Sequence, residues 1–303
     1  MPLNSPINES VQKFLAGTLY VVATPIGNLN DITFRALETF QKVDLIAAED
    51  TRHTKKLLSH FNIKSRLIAY HEHNEEQSAR GIINLLKSGS SVALVSSAGT
   101  PTVSDPGYRL ICTAVSENIS IIPIPGVSAA ITALSASGLP SDRFCFIGFL
   151  AARSKRRREQ LESLADAPST LIFYESPNRI LAVLSDMIEI LGDRQAVFSR
   201  EMTKTYEEFL RGPLSRLQAE LSARPAIKGE ITLLVSGDIV EKPFCFEDIQ
   251  PRVEKELKTG KISISALARE LSAACGVSKN LLYEKILEVK STMENASDGR
   301  KGE

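Results

Sequence analysis

Short apolar runs alternate with longer stretches of helical periodicity through the first part of the chain. Four such runs, at residues 18–23, 43–48, 91–96 and 119–124, consist almost entirely of apolar residues. Runs of this length and composition predict β-strands that are buried on both faces. Strands that alternate with helices are typical of parallel βαβ units, so we predict a parallel sheet covered by helices.

Three helices are predicted among these strands. The first follows Asn30 or Asp31, either of which can cap its beginning. The apolar face of this helix recurs at helical spacing and consists of Ile32, Ala36, Leu37, Phe40 and Val43. The second helix passes through Lys55, Leu57 and Leu58, and the third spans residues 75–86.

The pattern changes after Pro140, where five further strands are predicted with fewer helices between them. These strands are residues 143–149, 169–174, 195–200, 206–211 and 230–235, and the helices are residues 155–165 and 178–191. The third and fourth of these strands are close in sequence, which favours an antiparallel hairpin. We therefore predict a second α/β domain with a mixed sheet that ends near Gly237.

Beyond a linker at residues 242–244 the chain becomes helical and charged. Ser278 can begin a helix after a tight turn at Gly276, and Leu271, Val277 and Leu282 would form a small core. The predicted organisation has five parts: a flexible leader at residues 1–16, α/β domains at 17–124 and 125–238, a helical domain at 245–290, and a disordered tail at 291–303.

The overall charge neither favours nor excludes an anionic partner, because 36 Lys and Arg residues are balanced by 36 Asp and Glu residues. The densest basic run consists of Arg153, Lys155, Arg156, Arg157 and Arg158. It lies at the predicted start of a helix, where positive charge opposes the helix dipole. This cost favours a binding role, such as a contact with the phosphates of a nucleic acid, and an ordinary solvated surface is the alternative.

The cysteines and the apolar segments indicate a cytoplasmic protein. Cys112, Cys145, Cys245 and Cys275 have no spacing typical of a metal site or a redox pair, so we expect reduced thiols in the core. The first 14 residues contain no apolar stretch typical of a signal peptide. The uncharged segment at residues 118–141 is interrupted by Pro and Gly, which argues against a membrane-spanning helix.

Small, polar residues and many Gly and Pro residues follow most of the predicted strands. Ligands of α/β sheets bind beyond the carboxyl ends of the strands, and Gly and Pro let the backbone approach a ligand closely. The sequence has no GxGxxG after the first strand, no GxxxxGK[ST], no HExxH and no GxSxG. Its four histidines, of which His53, His71 and His73 are close in sequence, show no metal-ligand pattern.

Seven motifs in order along residues 17–237 resemble the tetrapyrrole-methylase superfamily, and within it a branch that methylates ribosomal RNA. They are VATPIGNLNDIT, AAEDTRHT, SSAGTPTVSDPG, IPGVSA, FYESPNRI, SREMTKTYEE and KGEITLLV. The resemblance implies a non-Rossmann α/β fold of two domains with a small helical C-terminal domain. It also implies S-adenosyl-L-methionine in the cleft between the domains and a homodimer. The positive sulfur of that cofactor drives methyl transfer, so we expect that no metal is required. The implied reaction is 2′-O-methylation of a cytidine of 16S rRNA on the small ribosomal subunit.

The same resemblance implies which residues form the site. The cofactor would contact Pro25, Gly27, Ser97, Gly99, Thr100, Val103, Ser104, Ser128, Ala129, Tyr174 and Gly229. Ser128 and Ala129 would offer N–H groups at a helix start. The first loop reads ATPIGNL where corrin-pathway relatives have GxGPGDP, and this departure argues against a tetrapyrrole substrate.

A ribose hydroxyl is a weak nucleophile at neutral pH, so a nearby carboxylate or lysine would help to remove its proton. The candidates at strand ends are Asp31, Asp50, Asp105, Glu175 and Glu201, with Lys204 as a positive partner. Asp105 lies in the long cofactor loop and Glu201 in the REMTK motif, so we favour Asp105 and Glu201 together with Lys204. The alternative for each carboxylate is a helix cap or an ion pair.

Two other functions are compatible with parts of this sequence. The same fold could methylate a small molecule, such as a tetrapyrrole, or a modified protein side chain. The altered first loop and the basic run argue against that reading. The helical segment at residues 266–287 could instead belong to a nucleic-acid-binding regulator without catalytic activity, but this would leave most of the chain without a role.

Overall fold

The computed structural model of the chain describes residues 17–72, 74–238, 246–260, 262–275 and 277–298. These residues form two compact units, of which the larger ends at Asp238 and the smaller contains the helices beyond it. Several features predicted from the sequence lie outside the described residues: the leader at 1–16, His73, the linker at 242–244, Cys245, the turn at Gly276 and the last five residues.

The first sheet of the larger unit is parallel throughout, as predicted. Its strands are β1 (Thr18–Val22), β2 (Leu45–Ala48), β3 (Leu67–Ala69), β4 (Val92–Val95) and β5 (Ser120–Ile124), in the order β3-β2-β4-β1-β5. Four of these strands were predicted, whereas β3 was missed. It has three residues, lies at the edge of the sheet and is only partly buried, so its sequence shows no long apolar run.

Helices cover both faces of this sheet. They are α1 (Phe34–Lys42), α2 (Thr51–His60), α3 (Glu75–Lys87) and α4 (Tyr108–Ser116). Phe40 and Leu57 pack on one face, and Ile82 and Leu110 pack on the other. The cap of α1 differs from the prediction: Thr33 accepts a hydrogen bond from the N–H of Ala36. The residues predicted to cap it lie in a separate turn of 3-10 helix, Leu29–Asp31.

The second sheet is mixed, as predicted. Its strands are β6 (Phe144–Phe149), β7 (Thr170–Glu175), β8 (Gln195–Arg200), β9 (Glu208–Pro213) and β10 (Ile231–Val235), in the order β6-β7-β10-β8-β9. Strands β6 and β7 are parallel, and the other neighbours are antiparallel. The predicted hairpin is formed by β8 and β9, whose six residues pair from Gln195 opposite Pro213 to Arg200 opposite Glu208.

The chain crosses from one sheet to the other through α5 (Ala129–Ser135), which directly follows β5 and its PGVS turn. Ala130, Ala133 and Leu134 of α5 pack against one face of the second sheet. The opposite face is covered by α6 (Ser154–Glu162), α7 (Ile180–Leu191) and α8 (Leu214–Ser222). A helix that follows the first sheet therefore completes the core of the second.

The smaller unit contains α9 (Phe246–Thr259), α10 (Ile264–Cys275) and α11 (Lys279–Asp298). Leu271 and Leu282 are buried in its core, and Val277 packs against it, as predicted. The N–H of Leu282 donates to the carbonyl of Ser278, so α11 starts where the sequence predicted a cap. However, α11 continues to Asp298, past the point at residue 290 where the helical segment was expected to end.

The expectation of buried thiols was wrong for two of the cysteines. Cys112 and Cys145 are exposed, and Cys275 is partly buried. Cys112 lies two residues beyond the buried Leu110, which places it on the opposite side of α4. Among the described helices, none is both long and apolar enough to cross a membrane.

Candidate functional site

A cleft of about 350 Å³ lies where the loops beyond the first sheet meet the second sheet. One wall comes from the loops that follow β1, β4 and β5. The other wall comes from the ends of β6 and β7, Met202 beyond β8, and the start of β10. Because β10 runs antiparallel to β7 and β8, its first residues lie at their carboxyl ends. The cleft therefore lies beyond the carboxyl ends of the strands, where ligands of α/β sheets bind.

The loop after β4 is the largest contributor to the cleft and has a strained backbone. Gly99, Thr102, Ser104 and Gly107 have φ values of 77°, 73°, 62° and 135°. A residue with a β-carbon rarely adopts this left-handed region, and such strain is concentrated at functional sites. We call residues 99–107 the strained loop.

Hydrogen bonds hold the beginning of the strained loop. The backbones of Thr24 and Gly99 exchange two hydrogen bonds, of 2.8 and 2.9 Å, in an isolated antiparallel bridge. The hydroxyl of Thr100 donates to the carbonyl of Val127 at 3.0 Å. The loops after β1, β4 and β5 are thereby fixed relative to one another.

Glu75 holds the other end of the strained loop. Its Oε1 accepts the N–H of Gly107 at 3.0 Å and the hydroxyl of the fully buried Tyr70 at 3.1 Å. Its Oε2 lies 3.5 Å from the guanidinium of Arg109. Glu75 is the first residue of α3 and does not line the cleft, so it can act on the site only by fixing the loop. Sequence reasoning gave no signal for it.

Asp105 is the carboxylate of the strained loop that faces the cleft. Burial, and after it the negative charge of Glu49, raise the pKa of Asp105 to about 6, against a smaller lowering by a hydrogen bond with Ser96. Glu49 is held in place because its Oε2 accepts the N–H of Ser97 at 2.8 Å. At pH 7 Asp105 is therefore mostly ionised and a stronger base than a solvated carboxylate.

Aromatic side chains form the wall opposite the strained loop. Tyr174 makes edge-to-face contacts with Phe146 and Phe149, with ring centroids 5.0 and 5.7 Å apart. The hydroxyl of Tyr174 accepts the N–H of Ala130 at 3.3 Å, and burial raises its pKa. The neutral phenol of Tyr174 and the exposed ring of Phe149 offer a surface on which a planar ligand can pack.

Glu175 adds a second carboxylate to the cleft. Its side chain is 1% exposed, and Oε2 lies 3.3 Å from the guanidinium of Arg179 but accepts no hydrogen bond within the described structure. Oε1 accepts the N–H of Ser176 at 2.7 Å. Arg179 in turn donates to the carbonyl of Leu150 at 2.7 Å. The carboxylate is thus fixed in place beside Arg179 at the end of β7.

The lining of the cleft is acidic. Its 19 residues include three carboxylates, those of Asp105, Glu175 and Glu230, and no Lys, Arg or His. The surrounding small residues bring backbone and hydroxyl groups close to the cavity. This composition suits a ligand that carries positive charge, because a buried charge needs a partner of opposite sign.

The structure brings together most of the predicted cofactor residues. Those that line the cleft are Gly99, Thr100, Val103, Ser104, Ser128, Ala129, Tyr174 and Gly229. Three others, Pro25, Gly27 and Ser97, do not line it, and Ile26 and Ala98 lie there in their place. Phe149, Met202 and Glu230 were not predicted. Phe149 is an apolar residue at a strand end, a position at which sequence alone does not separate a core residue from a ligand contact.

Glu201 and Lys204 lie behind the wall of the cleft and not in it. The ammonium of Lys204 donates to Glu201 and to Glu230, each at 2.9 Å. Glu201 also accepts the N–H of Glu230 at 3.0 Å. A β-carbon on Gly229 would lie 2.5 Å from the side chain of Glu201, so the two are in close contact. This network holds the start of β10 at the edge of the cleft.

The charges of this network do not suit proton abstraction. Hydrogen bonds from Lys204 and from the backbone of Glu230 lower the pKa of Glu201. Burial acts to lower the pKa of Lys204, but its hydrogen bonds to Glu201 and Glu230 outweigh this effect and raise it. Each group therefore keeps its charge near neutral pH, and the expectation that they act as catalytic groups does not fit this placement.

Gly27 packs against this network, which explains why it does not contact the cleft. A β-carbon there would lie 2.5 Å from Cγ of Lys204 and 2.7 Å from the hydroxyl of Thr203. The N–H of Asn28 donates to the same hydroxyl at 3.0 Å. Glycine is required at position 27 because the loop after β1 and the REMTK segment approach each other closely, and the segment joins the two halves of the larger unit.

The other carboxylate candidates have structural roles or lie elsewhere. Asp50 caps α2 and accepts hydrogen bonds from Arg52, whose side chain and backbone lower the pKa of Asp50 to about 2. Asp31 lies in the turn before α1 and does not line the cleft. Among the five carboxylates named from the sequence, Asp105 and Glu175 are therefore the two that face the cavity.

The residues of the basic run have two different environments in the structure. Arg157 is buried and its Nε donates to Asp186 at 2.6 Å, while Arg158 is paired with both Asp186 and Glu189. These two arginines anchor α6 to α7, so their assignment to RNA binding is not supported by their positions. Arg153, Lys155 and Arg156 are exposed at the start of α6.

The sequence is similar to that of a known family of enzymes and to named relatives. The model of the family of tetrapyrrole (corrin/porphyrin) methylases matches residues 18–218. The ribosomal RNA small subunit methyltransferase I of Halalkalibacterium halodurans is 50% identical over 273 residues, which cover 88% of this chain and 93% of the relative. The protein of the same name from Haemophilus influenzae is 49% identical over 274 residues, covering 89% and 96% of the two chains.

Solved structures show the same fold at low sequence identity. A diphthine synthase superposes with a TM-score of 0.57 at 17% identity, over 72% of this chain and 90% of its own. A uroporphyrin-III C-methyltransferase from Thermus thermophilus, complexed with S-adenosyl homocysteine, superposes with a TM-score of 0.52 at 16% identity, over 74% and 99%. The two α/β sheets therefore form a known architecture, as the motifs predicted.

Proposed function

Because the chain belongs to the tetrapyrrole methylase family, and within it to the ribosomal RNA small subunit methyltransferases I, we propose that it transfers a methyl group to 16S rRNA. The methyl donor is S-adenosyl-L-methionine, and the acceptor is the 2′-oxygen of a cytidine ribose on the small ribosomal subunit. The observation that carries this proposal is the acidic cleft, in which Asp105 faces the cavity with a pKa raised to about 6.

The residues of the cleft fit the proposed cofactor. S-adenosylmethionine carries a sulfonium and an ammonium, and the lining offers three carboxylates. Glu175 pairs with Arg179 and Glu230 with Lys204, whereas Asp105 has no cationic partner within 4.0 Å among the described residues. The volume of about 350 Å³ is within the range of small-molecule sites. The Oε2 of Glu175 is buried and accepts no hydrogen bond within the described structure, and its charge is balanced by the guanidinium of Arg179 at 3.3 Å. Tyr174 and Phe149 offer an aromatic surface to the adenine ring.

The cofactor supplies an electrophilic methyl group whose sulfur leaves as a neutral thioether. The protein has to align the ribose oxygen with that carbon and to receive the proton of the hydroxyl. Asp105 is the group proposed to receive the proton at its carboxylate as the new C–O bond forms. The strained loop fixes Asp105 at the cavity, and Glu49 keeps it basic through its negative charge.

Glu201 and Lys204 are proposed as positioning residues. They place Gly229 and Glu230 at the edge of the cleft and support the loop after β1 through Gly27. They hold opposite charges near neutral pH and satisfy each other, so a direct role in proton transfer is not needed.

Arg153, Lys155 and Arg156 are proposed to contact rRNA phosphate. They are exposed and lie just beyond β6, whose last residue, Phe149, lines the cleft. The family resemblance further supports a cytoplasmic homodimer as the active form, and sedimentation of the purified protein would test that state.

A second candidate function, methylation of a tetrapyrrole, is less well supported by the cleft. Tetrapyrroles of biosynthesis carry several carboxylates, and a site that binds them needs cationic side chains. The lining of this cleft contains none. An acidic cleft suits a cationic cofactor bound within it. Exposed cations outside the cleft suit an RNA that places a single ribose in the cavity.

The test is transfer of a radiolabelled methyl group from S-adenosylmethionine to three acceptors: 30S subunits that lack the modification, free 16S rRNA and a tetrapyrrole precursor, with buffer alone as the blank. We expect label on the RNA of 30S subunits. Label on the tetrapyrrole alone would keep the fold and overturn the substrate. Absence of both transfer and cofactor binding would overturn the assignment as an enzyme and favour a nucleic-acid-binding regulator.

A further inference from the structure

One exposed face of α2 is positively charged without compensation by acidic residues on the same helix. Within residues 17–238, α2 is the one helix that combines two or more Lys or Arg residues with no Asp or Glu. Its cations are Arg52, Lys55 and Lys56. The three are exposed, and spacings of three and four residues place them on one face.

This face is opposite the side of α2 that packs on the sheet. Thr54, Leu57 and Leu58 are buried. The side chain of Arg52 is 88% exposed even though it pairs with Asp50, and neither Lys55 nor Lys56 has an acidic partner within 4.0 Å among the described residues. Like charges at these spacings repel each other, so folding alone does not account for the arrangement.

The backbone connects this face directly to the cleft. Glu49, which raises the pKa of Asp105 and accepts the N–H of Ser97, is two residues before the start of α2. Strand β2 pairs with β4, the strand that leads into the strained loop. At about 1.5 Å per residue, Lys55 lies about 6 Å along the helix axis from Thr51. The charged face therefore begins close to the strained loop.

We propose that Arg52, Lys55 and Lys56 form a second RNA-binding surface, which holds the phosphates next to the methylated nucleotide. This inference rests on the proposed function, because the partner is the RNA of the small subunit. The exposed cations of α6 come from the half of the larger unit that carries the second sheet, whereas α2 belongs to the first sheet. An RNA strand held by both surfaces presents one ribose to the cleft between them.

Charge reversal at the two unpaired lysines tests this surface. The variant K55E/K56E is compared with K64E/R66E, which makes the same change in charge at two exposed residues just before β3. These control positions lie at the amino ends of the parallel strands, the edge of the sheet away from the cleft. The measurements are the KM for 30S subunits in methyl transfer and the dissociation constant for S-adenosylmethionine by calorimetry.

We expect K55E/K56E to raise the KM for 30S subunits by about tenfold or more at 0.15 M salt, with unchanged affinity for S-adenosylmethionine. The control should match the unmodified protein in both. Affinity for 30S subunits falls as salt rises, and in the milder K55A/K56A the slope of log affinity against log salt should be less steep by about 1.5, because two phosphate contacts are lost.

Three results would contradict the proposal, and each of them identifies a different cause. Equal KM values for K55E/K56E, the control and the unmodified protein, with an unchanged salt slope for K55A/K56A, would overturn the surface and leave the proposed function intact. An unmodified protein that binds S-adenosylmethionine but transfers no methyl group to 30S subunits would overturn the proposed function, and the surface with it. Weakened cofactor binding in K55E/K56E would show that these lysines support the cleft itself and would also overturn the RNA assignment.

Discussion

The chemistry of the site depends on where one carboxylate, Asp105, is placed. A solvated aspartate is a weak base, whereas burial and the negative charge of Glu49 raise the pKa of Asp105 to about 6. The sequence named five carboxylates at strand ends and favoured Asp105 and Glu201. The fold distinguishes the two, because Glu201 lies outside the lining of the cleft and its hydrogen bond from Lys204 lowers its pKa, which makes it a weaker base than Asp105.

Replacement of Asp105 by asparagine should remove the base without changing the shape of the cleft. We expect D105N to lower kcat by about 10²–10⁴-fold, with a small change in affinity for S-adenosylmethionine. The base is active when ionised, so kcat/KM of the unmodified protein should fall as the pH falls through about 6. The check is a pH series of initial rates for both proteins, and a D105N variant with a normal rate would exclude Asp105.

Glu49 should control the pH dependence through its charge. In E49Q the amide oxygen can still accept the N–H of Ser97, but the negative charge next to Asp105 is gone. The pKa of Asp105 should then fall, and the acid limb of kcat/KM for S-adenosylmethionine should move to lower pH. An acid limb at the same pH in E49Q and in the unmodified protein would show that Glu49 does not set the basicity of the catalytic group.

At the scale of elements, the strained loop is the feature on which the site depends. Thr102 and Ser104 carry β-carbons in the left-handed region, which is costly, and hydrogen bonds at both ends of the loop stabilise the arrangement. Glu75 is the anchor at the exit, from a helix that does not line the cleft. Its role was invisible in the sequence, because the contact joins residues 32 positions apart.

Loss of the carboxyl group of Glu75 should loosen the strained loop. We expect E75A to weaken binding of S-adenosylmethionine by about tenfold or more and to lower kcat, because a buried N–H and a buried hydroxyl lose their acceptor. E75Q should recover most of both, since its amide oxygen can accept the same two donors. The exposed neighbour Glu76, which pairs with Arg80, offers the matched control E76A.

Calorimetry and steady-state kinetics on the three variants would decide the matter. If E75A and E76A behaved alike, the exit of the strained loop would not need its anchor, and the strain would have to be balanced elsewhere in the loop.

Elements with a strong local pattern could be predicted, and those set by tertiary contacts could not. The buried strands of the first sheet are readable because both of their faces are apolar, which gives continuous runs. Strand β3 is short and lies at an edge, so tertiary pairing with β2 defines it. Helix α1 is capped by Thr33 and not by Asn30 or Asp31, because those two residues belong to a preceding turn that Asn28 caps.

For the whole molecule, the distribution of charge matters more than its sum. The sequence has no net charge, yet the cleft is acidic and two exposed surfaces outside it are basic. Sequence alone correctly located a basic run, but it could not show that Arg157 and Arg158 are neutralised by Asp186 and Glu189 from α7. Eight of the predicted cofactor residues converge on one cavity because they follow strands whose carboxyl ends meet there.

The position of the transferred methyl group tests the central proposal most directly. Subunits labelled by the protein from radioactive S-adenosylmethionine would be stripped to RNA and digested with alkali, which cannot cleave beside a 2′-O-methylated ribose. We predict that the label appears in an alkali-resistant dinucleotide that begins with cytidine, and that D105N leaves the same RNA unlabelled. Label in an alkali-released mononucleotide would place the methyl group on a base and would contradict the assignment of the cleft and Asp105 to ribose methylation.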